Sequence, residues 1–353
     1  LALECKRYRF ASLYDPLLAV NISKIDPLPH QIEAVYNYVL KLPRIRFLIA
    51  DDPGAGKTIM AGLIIKELKL RQLIERILIV APGHLKDQWK IELYDKFEEN
   101  FTVIDGKNYY SEYRINVWDK QNQIITSMDF AKREEILSNL SGSNFDLVIV
   151  DEAHKMSAYS YGDKINKSDR YKLGEVLSEI SNHLLFLTAT PHKGDTENFR
   201  LFLDLLQPGF FASKEQIENS IRDKDNPLFI RRTKEDLKDF DGKPLFLPRN
   251  VKTIHFDLGK ESPEEKELYN DLSRYVSNQY NIALRKNNNR NIAFTLIILQ
   301  RRFASSTYAL KKSLERRLNK LEELLSFATQ PSNFNNLFDD LDYIDDLPEE
   351  ERW

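Results

Sequence analysis

The segment DDPGAGKT, residues 51–58, holds the groups that bind phosphate: glycines that let backbone N–H groups point inward, a lysine and a hydroxyl. It follows the apolar run RFLIA and opens the run IMAGLIIKELKL, so a strand, a tight turn and a helix N-terminus are expected in that order. In that setting Gly54, Ala55, Gly56 and Lys57 line a cup of amides, and the helix dipole adds positive potential. Lys57 supplies a full charge to the β and γ phosphates of a nucleotide, and Thr58 offers its hydroxyl to magnesium. Two positions are unusual. Asp51 stands where the general GxxxxGK[ST] pattern has glycine, and Pro53 has no N–H to give.

A second constellation lies further along, where FDLVIV runs into Asp151-Glu152-Ala153-His154. An aspartate at a strand end is placed to hold magnesium through water, and the next acid can reach an attacking water as general base. Glu152, Lys57 and Asp151 are therefore the candidate catalytic groups. The run LLFLTAT ends in Thr188-Ala189-Thr190, whose hydroxyls can bond the acidic segment and report the state of the nucleotide. His154 either joins that coupling or caps its strand. Upstream, Leu28-Pro29-His30-Gln31 places a glutamine whose amide can donate to adenine N7 and accept from the exocyclic amine. The implied cofactors are ATP and Mg2+.

These residues need a scaffold that delivers strand ends to one edge. The runs RFLIAD (46–51), RILIVAP (76–82), NQIITS (122–127), FDLVIVDE (145–152) and LLFLTAT (184–190) are apolar at consecutive positions, as in strands buried on both faces. The segments between them are long enough for crossover helices, which makes the chain α/β with a doubly wound, parallel-rich sheet. Ligands in such sheets bind beyond the carboxyl ends of the strands.

Past residue 255 the pattern becomes helical. Ser262-Pro263-Glu264-Glu265 is a capping-box start for a helix to about Arg285. A polar KNNNRN turn follows, then a second helical pattern over 291–328 with Leu296, Leu299, Phe303, Leu310, Leu314, Leu321 and Leu325 at helical spacing. Two antiparallel helices fit this best. The expected organisation is an extension (1–27), the sheet domain (28–254), the helical pair (255–330) and an acidic tail (331–353). The polar stretch 157–174 reads as a flexible loop.

Bulk properties are those of a globular protein, with 42% apolar and 30% charged residues in 353. The net charge of −3 hides an asymmetry: residues 331–353 carry eight acids against one arginine, leaving +4 on the rest. That excess permits phosphate contacts without requiring them. The single cysteine, Cys5, excludes an internal disulfide and suggests a reducing compartment. No apolar run approaches bilayer length and the N-terminus lacks a signal-peptide core, so a cytoplasmic protein without a membrane partner is expected.

The order LPHQIEAV, DDPGAGKT, IVAPGHLKDQW, IITS, DEAH, LTATP resembles the first RecA-like lobe of superfamily 2 helicases. FIRRTKEDL (229–237), LFLPRNV (245–251) and SPEEKELY (262–269) narrow the resemblance to the SWI/SNF type, and QRRFASSTYALKKSLERRL (300–318) is similar to RapA-like prokaryotic members, which include DISARM-type anti-phage helicases. The resemblance implies an ATP-driven translocase on double-stranded DNA and makes the helical pair the protrusion from lobe one. Lys86, Lys90, Thr126, Ser127, Arg231, Arg232 and Lys234 are then the candidate nucleic-acid contacts, since hydroxyls and cations at strand ends can track phosphates. It further implies a second RecA-like lobe with a QxxRxxR motif, which nothing between residues 200 and 353 matches, so the chain is expected to be a fragment that stops between the lobes. Alternatives are RNA or protein–nucleic acid remodelling by the same motor, and a nucleotide-dependent scaffold among the subunits of a defence or restriction complex.

Overall fold

Consecutive apolar residues leave a strand no solvent face, and the expected runs do form the interior of one sheet. The structure is a computed structural model that describes residues 15, 17–106, 109, 116–161, 164–190, 196–211, 215–217, 226–247, 251–253, 262–285, 299 and 302–328. Its strands are β1 (Arg46–Ile49), β2 (Ile77–Ala81), β3 (Thr102–Ile104), β4 (Gln123–Ser127), β5 (Phe145–Asp151), β6 (Ala158–Tyr161), β7 (Lys164–Lys167), β8 (Ser181–Leu187) and β9 (Phe229–Ile230). Seven of them make one parallel sheet in the order β3-β4-β2-β5-β8-β1-β9. β1 and β2 are buried at every position.

Alternate residues feed two cores. On one face Leu48, Val80, Val148, Val150 and Phe186 pack with Leu173 and Leu177 of the Asp169–Ile180 helix. On the other, Phe47, Ile49, Ile79, Ile149 and Leu185 pack with Met60, Leu63 and Ile64 of the Lys57–Leu70 helix. Helices therefore cover both faces, which is the doubly wound RecA-like arrangement expected.

Three features depart from the sequence reading. β3 and β9 have no counterpart among the expected runs, and both are edge strands too short for a periodic signal. The stretch after the acidic motif is not a flexible loop: β6 and β7 pair as an antiparallel hairpin, and Ser168 then N-caps the Asp169–Ile180 helix by accepting from Tyr171 N. The N-terminal extension is not separate either. Its described part includes the Leu18–Ile22 helix, whose Ala19 is buried in the second core.

The chain divides into two units, Leu1–Pro248 and Arg249–Trp353. In the second, the helix Pro263–Arg285 begins where the capping sequence places it. The next pattern is interrupted at Ser306, with Thr307–Ala328 helical after it. Leu272, Val276, Leu299 and Leu310 form the small core there. Tyr269 packs on Phe303 before that break, and Tyr275 Oη accepts from Arg317 Nε after it. Cys5, Leu296, the KNNNRN segment and the acidic tail lie outside the described residues. Among the described residues, no helix is long and apolar enough to cross a membrane.

One buried acid ties the extension to the sheet unit. Glu67 is fully buried and accepts from Ala19 N (3.2 Å), Tyr36 Oη (3.1 Å) and Arg71 Nη2 (2.7 Å). Replacing it with alanine leaves these donors unmatched, and we expect a loss of about 3 kcal/mol, read as a lower urea midpoint at unchanged slope. A shift under about 1 kcal/mol would mean that water satisfies the donors.

Candidate active site

The sheet brings three strand ends to one level. Leu187 of β8 stands opposite Ile49 of β1 on one side and Asp151 of β5 on the other. The chain entering the glycine loop and the first acid are thus about 10 Å apart, two strand spacings, with Thr188 between them.

The loop itself needs its glycines. Gly54 and Gly56 have φ of +86° and +82°, where other L residues are strained. A Cβ on Gly56 would also stand 2.2 Å from Gln31 Nε2. Lys57 opens the following helix and its ammonium donates to the carbonyls of Asp51 (2.8 Å) and Asp52 (3.4 Å). Burial lowers the Lys57 pKa, while the charges of Glu152 and Asp151 act to raise it. The three catalytic candidates therefore share one electrostatic neighbourhood. Thr58 is half-buried in the first turn.

The two acids are driven in opposite directions. Asp151 is buried, which raises its pKa; its Oδ2 accepts from Trp89 Nε1 at 3.0 Å and its Oδ1 from Glu152 N at 2.9 Å. Glu152 adopts a left-handed backbone (φ 49°, ψ 41°), an uncommon state for a non-glycine residue. Its Oε2 lies 3.2 Å from His154 Nδ1, and that hydrogen bond, helped by Lys57, holds the carboxyl below its ordinary pKa. The same Nδ1 is 2.8 Å from Thr188 Oγ1, which accepts from Thr190 N at 3.2 Å. His154, Thr188 and Thr190 thus form a continuous link from Glu152 to the end of β8. Thr190 is exposed; Pro191 and His192 lie outside the described residues.

A carboxylate that stays ionised suits a base, and a buried one at a strand end suits a divalent cation. Among the described residues, no group of three or more His, Cys, Asp or Glu could hold a metal unaided. Magnesium fits such a site, because it takes one or two carboxylates together with substrate phosphates. Thr58 and Asp151 are the residues that would hold it.

Gln31 lies against the loop: Nε2 donates to Ala55 O at 3.1 Å and Oε1 accepts from Leu28 N at 3.0 Å. Its neighbour His30, to which the sequence assigns no role, bonds the same carbonyl through Nε2 at 2.8 Å. Adenine recognition by Gln31 would exchange these internal bonds for ligand bonds.

The nucleic-acid candidates separate. Arg232 is corrected to an internal role: its guanidinium grips both oxygens of fully buried Asp51 (3.1 and 2.5 Å) and donates to His30 O at 2.6 Å. Thr126 is internal as well, being fully buried with its hydroxyl donating to Ile104 O at 2.9 Å. Ser127 N-caps the Met128–Ala131 helix. Lys86 is half-buried with its ammonium 3.9 Å from Asp105, whereas Lys90 and Arg231 are exposed. The Lys234 ammonium lies beside Gly54 of the loop. Trp89 is a site residue that motif spacing does not single out, although an indole in an otherwise polar helix start is a signal, since a buried Trp N–H needs a partner.

Arg232 also accounts for aspartate at the first loop position, because the carboxylate points to a guanidinium and not to phosphate. Replacing Arg232 with methionine strands a buried charge, and we expect a destabilisation of about 3–5 kcal/mol. The double variant Arg232→Met, Asp51→Asn should recover part of it in denaturant titrations. Equal stability of the single variant and the parent would remove this pair as the loop's anchor.

A family model described as "Type III restriction enzyme, res subunit" matches residues 24–193. The chain is 31% identical over 326 residues to an uncharacterised ATP-dependent helicase, YqhH of Bacillus subtilis (strain 168), covering 89% of this chain and 52% of that protein. It is 34% identical over 224 residues to the RNA polymerase-associated protein RapA of Yersinia pestis (strain Pestoides F), covering 62% of this chain and 22% of RapA. The chain thus spans about half the length of the one and about a fifth of the other. Among solved structures, the Sulfolobus solfataricus SWI2/SNF2 ATPase core in complex with dsDNA aligns at 20% identity and a TM-score of 0.49, over 86% of this chain and 65% of that one.

Proposed function

We propose that this chain, which belongs to the SWI/SNF-type superfamily 2 helicases and to their RapA-like branch, is the ATP-binding first lobe of a motor that translocates on double-stranded DNA. The carrying observation is the convergence, at the level of Leu187, of the Lys57 loop, the Thr188 hydroxyl and the Asp151–Glu152 pair. In this reading the loop amides and Lys57 bind the triphosphate, and Thr58 and Asp151 hold Mg2+, which neutralises phosphate charge when bound. Glu152, kept ionised by His154, accepts a proton from the attacking water. His154 and Thr188 carry the state of that carboxylate to the end of β8. A scaffold without turnover has no need of an ionised base beside a phosphate lysine, so the enzyme reading is favoured.

In this reading a second RecA-like lobe, as the motif resemblance implies, adds arginine fingers to the γ-phosphate. We therefore expect the 353-residue chain to bind Mg·ATP yet hydrolyse it about 10³–10⁵-fold more slowly than the two-lobed protein. In the two-lobed protein, Glu152→Gln should retain nucleotide affinity and lose about 10²–10⁴-fold in turnover, measured by phosphate release. Undiminished turnover in that variant sinks the assignment of the base.

Duplex DNA as substrate rests on the motif resemblance and on Lys86, Lys90 and Ser127 at the carboxyl edge of the sheet. Affinity for duplex should fall linearly in a log–log salt plot, without sequence preference. Lys86→Ala with Lys90→Ala should lower the slope by about 1 for each phosphate no longer neutralised. A stronger response to RNA than to duplex in the same titration points to the remodelling alternative.

A further inference from the structure

The segment after β9 does more than close the sheet. Backbone pairing continues past the strand, with Ala50 N donating to Ile230 O (2.8 Å) and Asp52 N to Arg232 O (3.2 Å). Asp52 also accepts in return, its Oδ2 taking a hydrogen bond from Lys234 N at 3.2 Å. Residues 230–234 are therefore laced to the entry of the glycine loop by their main chain, with the Arg232–Asp51 pair beneath. The backbone of Lys234 is thereby fixed at the edge of the loop.

Its ammonium comes to rest over the loop. Lys234 Nζ is 3.9 Å, and Cε 4.0 Å, from the point where a Cβ on Gly54 would stand. Nζ also sits 5.1 Å from the centroid of the Phe246 ring, which shields one side from water. Among the described residues no carboxylate lies within ion-pair distance of this ammonium, although acids surround the loop. A half-buried cation on an aromatic face beside Gly54 is short of an anion. The loop, for its part, is short of a donor at Pro53, the residue next to Gly54.

We propose that Lys234 is a second phosphate-binding lysine of this site, reaching the phosphate chain of a nucleoside triphosphate beside Gly54. The inference rests on the reading of the loop as a nucleotide site. It replaces the nucleic-acid role that the residue's charge suggested. It also gives the RRTK sequence two tasks within three positions: Arg232 fixes the loop through Asp51, and Lys234 adds a charge beside Gly54.

The test is titration of the 353-residue chain with Mg·ATP and Mg·ADP by calorimetry, with duplex DNA binding measured in parallel. Lys234→Ala and Lys234→Gln should weaken Mg·ATP binding about tenfold, weaken Mg·ADP binding less, and leave duplex affinity unchanged, whereas Lys234→Arg should retain most of the affinity. Unfolding midpoints near the parent's tie the loss to the missing charge; glutamine keeps the length and packing of the side chain should alanine disturb the segment. Lys57→Ala serves as the reference. If it loses nucleotide while Lys234→Ala and Lys234→Gln bind Mg·ATP within about twofold of the parent, the inference is overturned and the site stands. A fall in duplex affinity with nucleotide binding intact also overturns it, in favour of a nucleic-acid contact. If Lys57→Ala itself binds Mg·ATP normally, the nucleotide reading fails and this inference with it.

Discussion

A buried carboxylate facing one guanidinium holds this site together. Asp51 is fully inaccessible to solvent and its charge is matched by Arg232, a residue 181 positions later in the chain. Taking an isolated carboxylate out of water is expensive, and the pair is tolerable only because both oxygens are bonded and the arginine has a further acceptor in His30 O. The consequence is mechanical. A glycine loop with two left-handed residues has little intrinsic preference for one shape, and the ion pair anchors its entry while the helix Lys57–Leu70 anchors its exit. It also keeps the short strand β9 on the sheet, with the residues that follow it at the loop's edge.

Parallel topology then explains why unlike chemistry collects in one place. Every strand of the sheet ends on the same side, so the loop, the hydroxyl pair and the acids meet without any long excursion of the backbone. Their differences are local. Asp151 is desolvated and bonded by an indole, and its proton affinity rises. One residue later the left-handed turn swings Glu152 out toward His154, and its proton affinity falls. Two adjacent acids thereby acquire opposite proton affinities across a single change of backbone region.

Much of this is legible in the residues, for identifiable reasons. β1, β2, β4, β5 and β8 are apolar at successive positions, which only a doubly covered strand requires, and the polar residues that terminate them flag the chemistry. What the residues conceal is either short or distant. β3 and β9 span three and two residues, below the length at which any period can register. The hairpin β6–β7 is hidden by polar composition, although Gly162-Asp163 between two alternating runs is a turn signature. Arg232 and Thr126 look like surface groups because charge and hydroxyl content do not reveal which way a side chain faces. The partners that turn them inward, Asp51 and Ile104 O, are 181 and 22 residues away.

The two borders of the sheet have a consequence for how such a lobe behaves in a crowded solution. A parallel sheet offers unpaired amides and carbonyls at each margin, a template on which a foreign extended chain can grow. Here the margins are β3 and β9, the two shortest strands of the seven, and the latter runs at once into backbone already bonded to the loop entry. Among the described residues each rim is a strand of two or three residues, a short ladder for a neighbour to extend. The brevity that makes these strands hard to read also shortens the template that each margin offers.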